Sequence, residues 1–372
     1  MPTDTPNEVL LQRWSRTRER IAAAGADGIL LGGGSDLTYL TGYEAMPLER
    51  ITAFAGRLSP PGSKPALIVP ALEAARVRPR PAVYSIESWG DTTDPVEVIA
   101  QAIPGSGSVV VSDDLWAMHV IGLQRRVPGV ALIPIGEAIG GLRELKSAAE
   151  RDALAEAGSL ADKVMVQIQG GEVPLVGRTE AEIAADISSR LLDAGHDTVE
   201  FIIVASGPNS ASPHHHPGSR VVQADEIVLF DFGGRFNGYC SDTTRCVHTG
   251  PIPDEVRFVY TILAAAQEAA VLEAQPSRSL AEVDLAARSI IAGAGFGDNF
   301  IHRTGHGIGV EVHEPPYVTE LNNDPIEIGH AFSIEPGIYF PGQWGMRLED
   351  IVVIEADGAR RCNNSDRGLL EV

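Results

Sequence analysis

Residues Glu226–Val247 read EIVLFDFGGRFNGYCSDTTRCV, and the fold turns on how this stretch pairs with itself. Ile227, Val228, Leu229 and Phe230 make an apolar strand, Asn237-Gly238 is the strongest two-residue hairpin signal, and Tyr239 to Val247 runs back. Pairing about that turn sets Asp231 opposite Thr244, with Asp242 two residues further along. Side chains alternate with period two, so both carboxylates leave one face within diagonal reach. Two acids held side by side repel, and divalent cations between them remove the repulsion. Taken alone, the stretch favours reading Asp231 and Asp242 as separate turn and edge residues.

A second acid pair has the same layout. Glu335 lies in FSIEPG (332–337) and Glu349 in MRLED (346–350), on either side of a Pro341-Gly342 turn signal. Folding about residue 342 brings the two glutamates face to face. His306 sits in HRTGHGIGVEVHE (302–314) between Gly305 and Gly307, which suggests a tight site, and Val310 to His313 alternates like a strand. Four carboxylates and one imidazole form a hard, oxygen-rich set. It suits two divalent ions such as Mn²⁺ or Co²⁺ and is poor for structural zinc. Such a pair, about 3.5–4 Å apart, acidifies a shared water, so the residues read as a dinuclear metallohydrolase.

The 372 residues suffice for two cores, and 44% hydrophobic with 21% charged residues is ordinary for a soluble globular chain. Fifty acids against 29 bases leave a net charge of −21, which argues against nucleic acid and anionic membrane as partners. Cys240, Cys246 and Cys362 are odd in number and show no CxxC spacing, so a reducing, cytoplasmic location is expected. The opening MPTDTPNEVL lacks the charged and apolar regions of a secretory signal, and no apolar run is long enough to cross a bilayer.

Residues 8–140 alternate helix-like and strand-like segments, an α/β layer pattern. A helix carries Leu11, Trp14, Arg18, Ile21 and Ala22 and stops at Gly25. Strands are predicted at 28–31, 51–54, 66–69, 83–86, 109–111 and 130–133, with helices at 96–103 and 116–127. Gly32-Gly33-Gly34 fits no phosphate-binding pattern and reads as a turn. A capping box at Ser147–Glu150 opens a second domain, 146–372.

Within that domain two capping boxes, Thr179–Glu182 and Ser279–Glu282, open helices 100 residues apart. Arg178/Arg278, Ala181/Ala281, Glu182/Glu282, Ser189/Ser289, Ala194/Ala294 and Gly195/Gly295 are identical pairs. They suggest a pseudo-twofold α+β domain; chance likeness of two capped amphipathic helices competes with that reading.

At this point the chain resembles a known family. His302–Glu314 looks like the proline-peptidase motif, SIEPGIY and GMRLED like its glutamate motifs, and GPNSASPHHHPGSR like its histidine loop. The order Asp231, Asp242, His306, Glu335, Glu349 matches the metal ligands of the Xaa-Pro dipeptidase (prolidase) and aminopeptidase P family. LTYLTGY (37–43) and LRELK (142–146) are similar to a loop and the domain junction of creatinase/prolidase amino-terminal domains, which are ribonuclease H-like. The resemblance implies a pita-bread catalytic domain and a homodimer. It also implies two divalent ions per subunit, Mn²⁺ foremost, with Co²⁺ or Zn²⁺ as alternatives. By it, Asp231 chelates one ion, Asp242 and Glu349 bridge, and His306 and Glu335 bind the second. Glu335 also shuttles a proton, His214 and His313 hold substrate and oxyanion, and Arg347 and Tyr339 contact substrate. His215 and His216 read as polar loop residues. The implied activity is hydrolysis of Xaa-Pro dipeptides. Alternatives are longer Xaa-Pro peptides, as for aminopeptidase P, or a distinct or non-catalytic member of the fold. Metal-free creatinase is disfavoured because all five ligand positions are intact, and methionine aminopeptidase usually lacks the first domain.

Overall fold

In the computed structural model, which describes residues 5–46, 48–60 and 62–372, the chain forms two units, Met1–Arg143 and Glu144–Val372. Residues 1–4, the start of the stretch read for a secretory signal, lie outside the described residues. No described helix is long and apolar enough to cross a membrane.

The first unit contains helices α1 (Asn7–Ala23), α2 (Ser35–Thr41), α3 (Pro95–Ala102), α4 (Ala117–Arg126) and α5 (Ile135–Ile139). Its strands are β1 (Gly28–Gly32), β2 (Ala53–Arg57), β3 (Ala66–Pro70), β4 (Ser85–Trp89), β5 (Gly107–Val111) and β6 (Val130–Pro134). They form one mixed sheet in the order β4-β3-β2-β1-β5-β6. Alternate residues feed separate cores on its two faces. Ile29, Leu31, Phe54 and Val110 meet α1, while Leu30, Ile68, Val109 and Val111 meet α3 and α4.

Two local readings change. The buried face of α1 is Leu10, Arg13, Trp14, Thr17 and Ile21, with Leu11 exposed, because the Arg13 guanidinium lies over Tyr39 and donates to its carbonyl. The stretch 37–43, expected as a loop, is mostly α2, stopped by Gly42 in the left-handed conformation at φ 69°.

The second unit contains α6 (Ala148–Gln169), α7 (Glu180–Ala194), α8 (Asp254–Glu273) and α9 (Leu280–Gly293). The capping boxes that open α6, α7 and α9 are all formed. Its strands are β7 (Thr198–Ser206), β8 (Ile227–Phe236), β9 (Tyr239–Cys240), β10 (Thr243–His248), β11 (Gly305–Gly307), β12 (Glu314–Val318) and β13 (Ala331–Ile334). β14 (Gly337–Phe340), β15 (Trp344–Arg347), β16 (Asp350–Glu355), β17 (Gly358–Arg361) and β18 (Leu370–Glu371) complete it. One sheet runs β18-β10-β8-β7, a second β12-β11-β13-β16-β17, and β14-β15 is a separate ribbon.

Each helix pair covers its own sheet. Met165, Ile183, Ile187 and Leu191 pack on Val228, Phe230 and Phe232, while Leu263, Val283, Ala287 and Ile291 pack on Phe332, Ile334 and Val352. The helices related by the 100-residue offset thus hold equivalent places. β8 is buried on both faces: its even residues face α6 and α7, and Ile227 and Leu229 join the other core. Asp231 continues the Ile227–Leu229 face, which places a carboxylate in the interior.

Candidate metal centre

The first hairpin has the predicted register. Asn237 and Gly238 take φ 50° and 79°, as a type I′ turn requires, and β10 pairs with β8 with Thr244 opposite Asp231. The second folds about residue 342: Gly337 pairs with Arg347 in β14-β15, and Ile334 with Asp350 in β13-β16. Glu335 and Glu349 occupy the gap between those two ladders. The hairpins meet through an isolated bridge between Thr244 and Glu349. There the Glu349 amide donates to Thr244 O at 3.2 Å, and Thr244 Oγ1 donates to Glu349 Oε2 at 2.6 Å.

His306 arrives on β11. Its amide donates to Ser333 Oγ (2.9 Å), which in turn donates to Glu335 Oε1 (2.9 Å). The flanking glycines serve the neighbouring strands rather than a ligand. A Cβ on Gly305 would stand 1.8 Å from Ser333 O, and one on Gly307 2.3 Å from Glu314 O. Val310–His313, expected as a strand, is a bend between β11 and β12. It wraps the buried Lys146–Glu314 ion pair (2.8 Å), and the Glu311 amide donates to the same glutamate.

Asp231, Asp242, His306, Glu335 and Glu349 all line one cavity of ≈ 880 Å³. Asp242, His306 and Glu349 present ligand atoms within 4.8 Å of one another, and His306 Nε2 is 3.3 Å from Glu335 Oε1. Asp231 pairs with the Arg347 guanidinium. Among the described residues, Asp231 Oδ1, Asp242 Oδ1 and Glu349 Oε1 are buried without a hydrogen-bond partner. Burial, together with Glu349, Asp231 and Glu335, drives Asp242 well above the usual carboxylate range; burial with Glu335 and Asp231 does the same to Glu349. Burial lowers His306 to about 4, leaving the neutral imidazole that ligates metals. Buried acceptors with no donor are costly, and a divalent cation satisfies them, so the donor set fits metal.

The rest of the wall is basic and aromatic. His214, His302, Arg303 and His313 line the cavity, with Phe201, Ile203 and Val312 as its apolar side. His313 lies against His306, ring centroids 3.9 Å apart and planes tilted by 41°, and burial lowers it to about 4. Arg347 also lines it, donating through Nε to Thr244 Oγ1 (3.1 Å) and through Nη1 to Pro213 O (3.2 Å) and Tyr339 OH (3.0 Å). Burial opposes its charge, but Tyr339, Asp231, Glu335 and Glu349 outweigh burial and hold it protonated. Tyr339 is buried behind the wall, its hydroxyl between Arg347 and His302 Nε2 (3.0 Å), and does not line the cavity. His215 and His216 border it, but His215 Nε2 lies 2.7 Å from buried Glu180.

Sequence reasoning did not single out His302, Arg303, Thr244, Ser333 or the fully buried Arg245–Asp350 pair (2.7 Å) behind Glu349. Arg245 donates to the carbonyls of Thr244 and Glu349, so it braces both sides of the inter-hairpin bridge. Its position next to Thr244 in the hairpin was the available signal. Asp284 on α9 accepts from the Thr304 amide (3.2 Å) and hydroxyl (2.7 Å), and its partner Arg288 donates to the carbonyls of Phe300 and His302.

Residues 152–356 match the profile of metallopeptidase family M24, and residues 13–145 that of the creatinase/prolidase N-terminal domain. The chain is 39% identical over 370 residues to a protein named probable dipeptidase PepE of Mycobacterium tuberculosis, covering 98% of this chain and 97% of that one. It is 36% identical over 342 residues to an Xaa-Pro dipeptidase of Lactobacillus helveticus, covering 90% and 91%. The crystal structure of dipeptidase PepE from Mycobacterium ulcerans superposes with a TM-score of 0.92 at 39% identity, covering 100% of this chain and 99% of that one. With these matches over nearly its full length, the chain belongs to metallopeptidase family M24: it is a metallopeptidase with a creatinase/prolidase amino-terminal domain ahead of a pita-bread catalytic domain.

Proposed function

We propose that this chain is an Xaa-Pro dipeptidase that cleaves the imide bond of Xaa-Pro with two divalent ions, Mn²⁺ foremost, held by Asp231, Asp242, His306, Glu335 and Glu349. The observation that carries the reading is the convergence of all five on one cavity, three of them with buried oxygens that no donor reaches. When bound, the ions polarise the scissile carbonyl and lower the pKa of water, so that hydrolysis proceeds at neutral pH. Glu335, hydrogen-bonded to Ser333 and beside His306, moves the proton to the leaving proline nitrogen. His214 and His313, the latter beside His306, hold the substrate and the developing oxyanion. Arg347 orients Asp231 and the substrate's carboxyl end, and Tyr339 acts through Arg347 and His302.

A cavity of ≈ 880 Å³ is large for a dipeptide and favours aminopeptidase P-like action on Xaa-Pro-Yaa as the second reading. Three buried free cysteines suit a cytoplasmic location; a homodimer rests on the family resemblance.

The test is a parallel assay of Xaa-Pro and Xaa-Pro-Yaa on Mn²⁺-supplied protein. Free proline is expected from Xaa-Pro, lost on chelation and nearly lost in Glu335→Gln. Cleavage of tripeptides alone moves the assignment to the second reading, and fully loaded protein that touches neither removes both.

A further inference from the structure

We propose that Glu180, at the start of α7, is the anchor of the histidine loop 206–218, and that it places His214 in the cavity by holding its neighbour His215. The role of His214 rests on the peptidase reading; the anchoring of the loop does not.

Glu180 is fully buried, while Glu182, one half-turn along the same helix, is exposed and closes the capping box. An acid in the first helical turn is common as a dipole partner at the surface; one fully buried, paired directly with a histidine and linked to Arg220 through Ser206 Oγ, is not. Every donor to Glu180 comes from the loop. Oε1 accepts from the Ser206 amide (2.8 Å), Ser206 Oγ (2.8 Å) and Asn209 Nδ2 (3.0 Å). Oε2 accepts from Asn209 Nδ2 (3.1 Å), the Gly218 amide (3.4 Å) and His215 Nε2 (2.7 Å). Burial alone would raise this carboxyl; the donors outweigh burial and keep it low.

The His214 imidazole, in contrast, makes no hydrogen bond within the described residues. Its place follows from the clamps on either side: Pro213 O accepts from Arg347, and His215 is tied to Glu180. A residue that must meet a reacting substrate but has no partner of its own depends on its backbone being held. His215, whose residue type suggested only a polar loop, becomes the link between a helix and the cavity wall.

The experiment uses the full chain with Mn²⁺ and the variants His215→Leu, His215→Gln and Glu180→Gln, alone and with His214→Ala. His215→Leu should lower kcat by between about tenfold and a hundredfold with a smaller change in KM. His215→Gln keeps a donor near the Nε2 position and should recover most of the loss. In the His214→Ala background, His215→Leu should cost nothing more, because both act through one imidazole. Hydrogen exchange of the amides of 206–218 should rise in His215→Leu and in Glu180→Gln while bound Mn²⁺ stays unchanged. Losses that add in full to His214→Ala, or a loop whose exchange does not move, overturn the proposal. If the parent protein hydrolyses no Xaa-Pro substrate, the peptidase reading falls and the exchange measurement still decides the anchor.

Discussion

Asp350 follows a candidate ligand directly and is a buried acid held by three guanidinium groups. It meets Arg245 at 2.7 Å, Arg361 at 2.9 Å and Arg367 at 2.6 Å, with Gln267 at 3.1 Å. Burial would raise its carboxyl, and the surrounding guanidinium groups hold it low instead. Removing one member of such a group leaves buried charge uncompensated, so Asp350→Ala should lose about 3–5 kcal/mol in denaturant unfolding. Divalent-ion binding should weaken with it, since Arg245 also braces Glu349. His330 offers a pH test away from the candidate ligands. Burial, with Lys146 close by, lowers it to about 4, and its Nδ1 accepts from the Glu327 amide at 3.2 Å. The unfolded chain, near the ordinary value of 6.5, takes up the proton first as pH falls. The stability from a neutral His330 is therefore complete above about 6.5 and lost progressively toward 4, by up to about 3 kcal/mol. Thermal unfolding across that window should show a shallower slope in His330→Gln than in the parent.

At the scale of elements, the two hairpins carry the acids and β11 carries the imidazole. Their registers were legible because Asn237-Gly238 and Pro341-Gly342 mark the turns and period two does the rest. The bridge joining Thr244 to Glu349 was not legible, because it links residues 105 apart and no local pattern encodes such pairing. The bend at 310–313 was misread for a related reason. Its alternation matches a strand, but Gly309 leaves room for Glu314 and Lys146, which replace a strand partner. Crowding at β11 supplies a prediction. Gly305→Ala forces a Cβ into Ser333 O and should cost about 1–3 kcal/mol through displaced backbone. Because the His306 amide bonds Ser333 Oγ, the same change should weaken Mn²⁺ binding measured by titration calorimetry, whereas Gly293→Ala, with open space around it, should not.

At the scale of the whole molecule, two units each bury their own cores, and every candidate ligand belongs to Glu144–Val372. Calorimetry should resolve two transitions, of which only that of the second unit moves with metal. An ion at a hundredfold its dissociation constant adds about 2.7 kcal/mol to the state that binds it, and a chelator should reverse the shift. If both transitions move equally, the units unfold as one. The sequence by itself determined the hairpin registers, the capped helices, the repeat and the types of the five candidate ligands, because turn residues, caps and alternation act over a few residues. Only the tertiary structure decided that the hairpins cross at Thr244–Glu349, that Tyr339 stands behind Arg347, and that Glu180 gathers the histidine loop. These depend on packing between distant segments, where a buried acid takes whichever donors the fold brings to it.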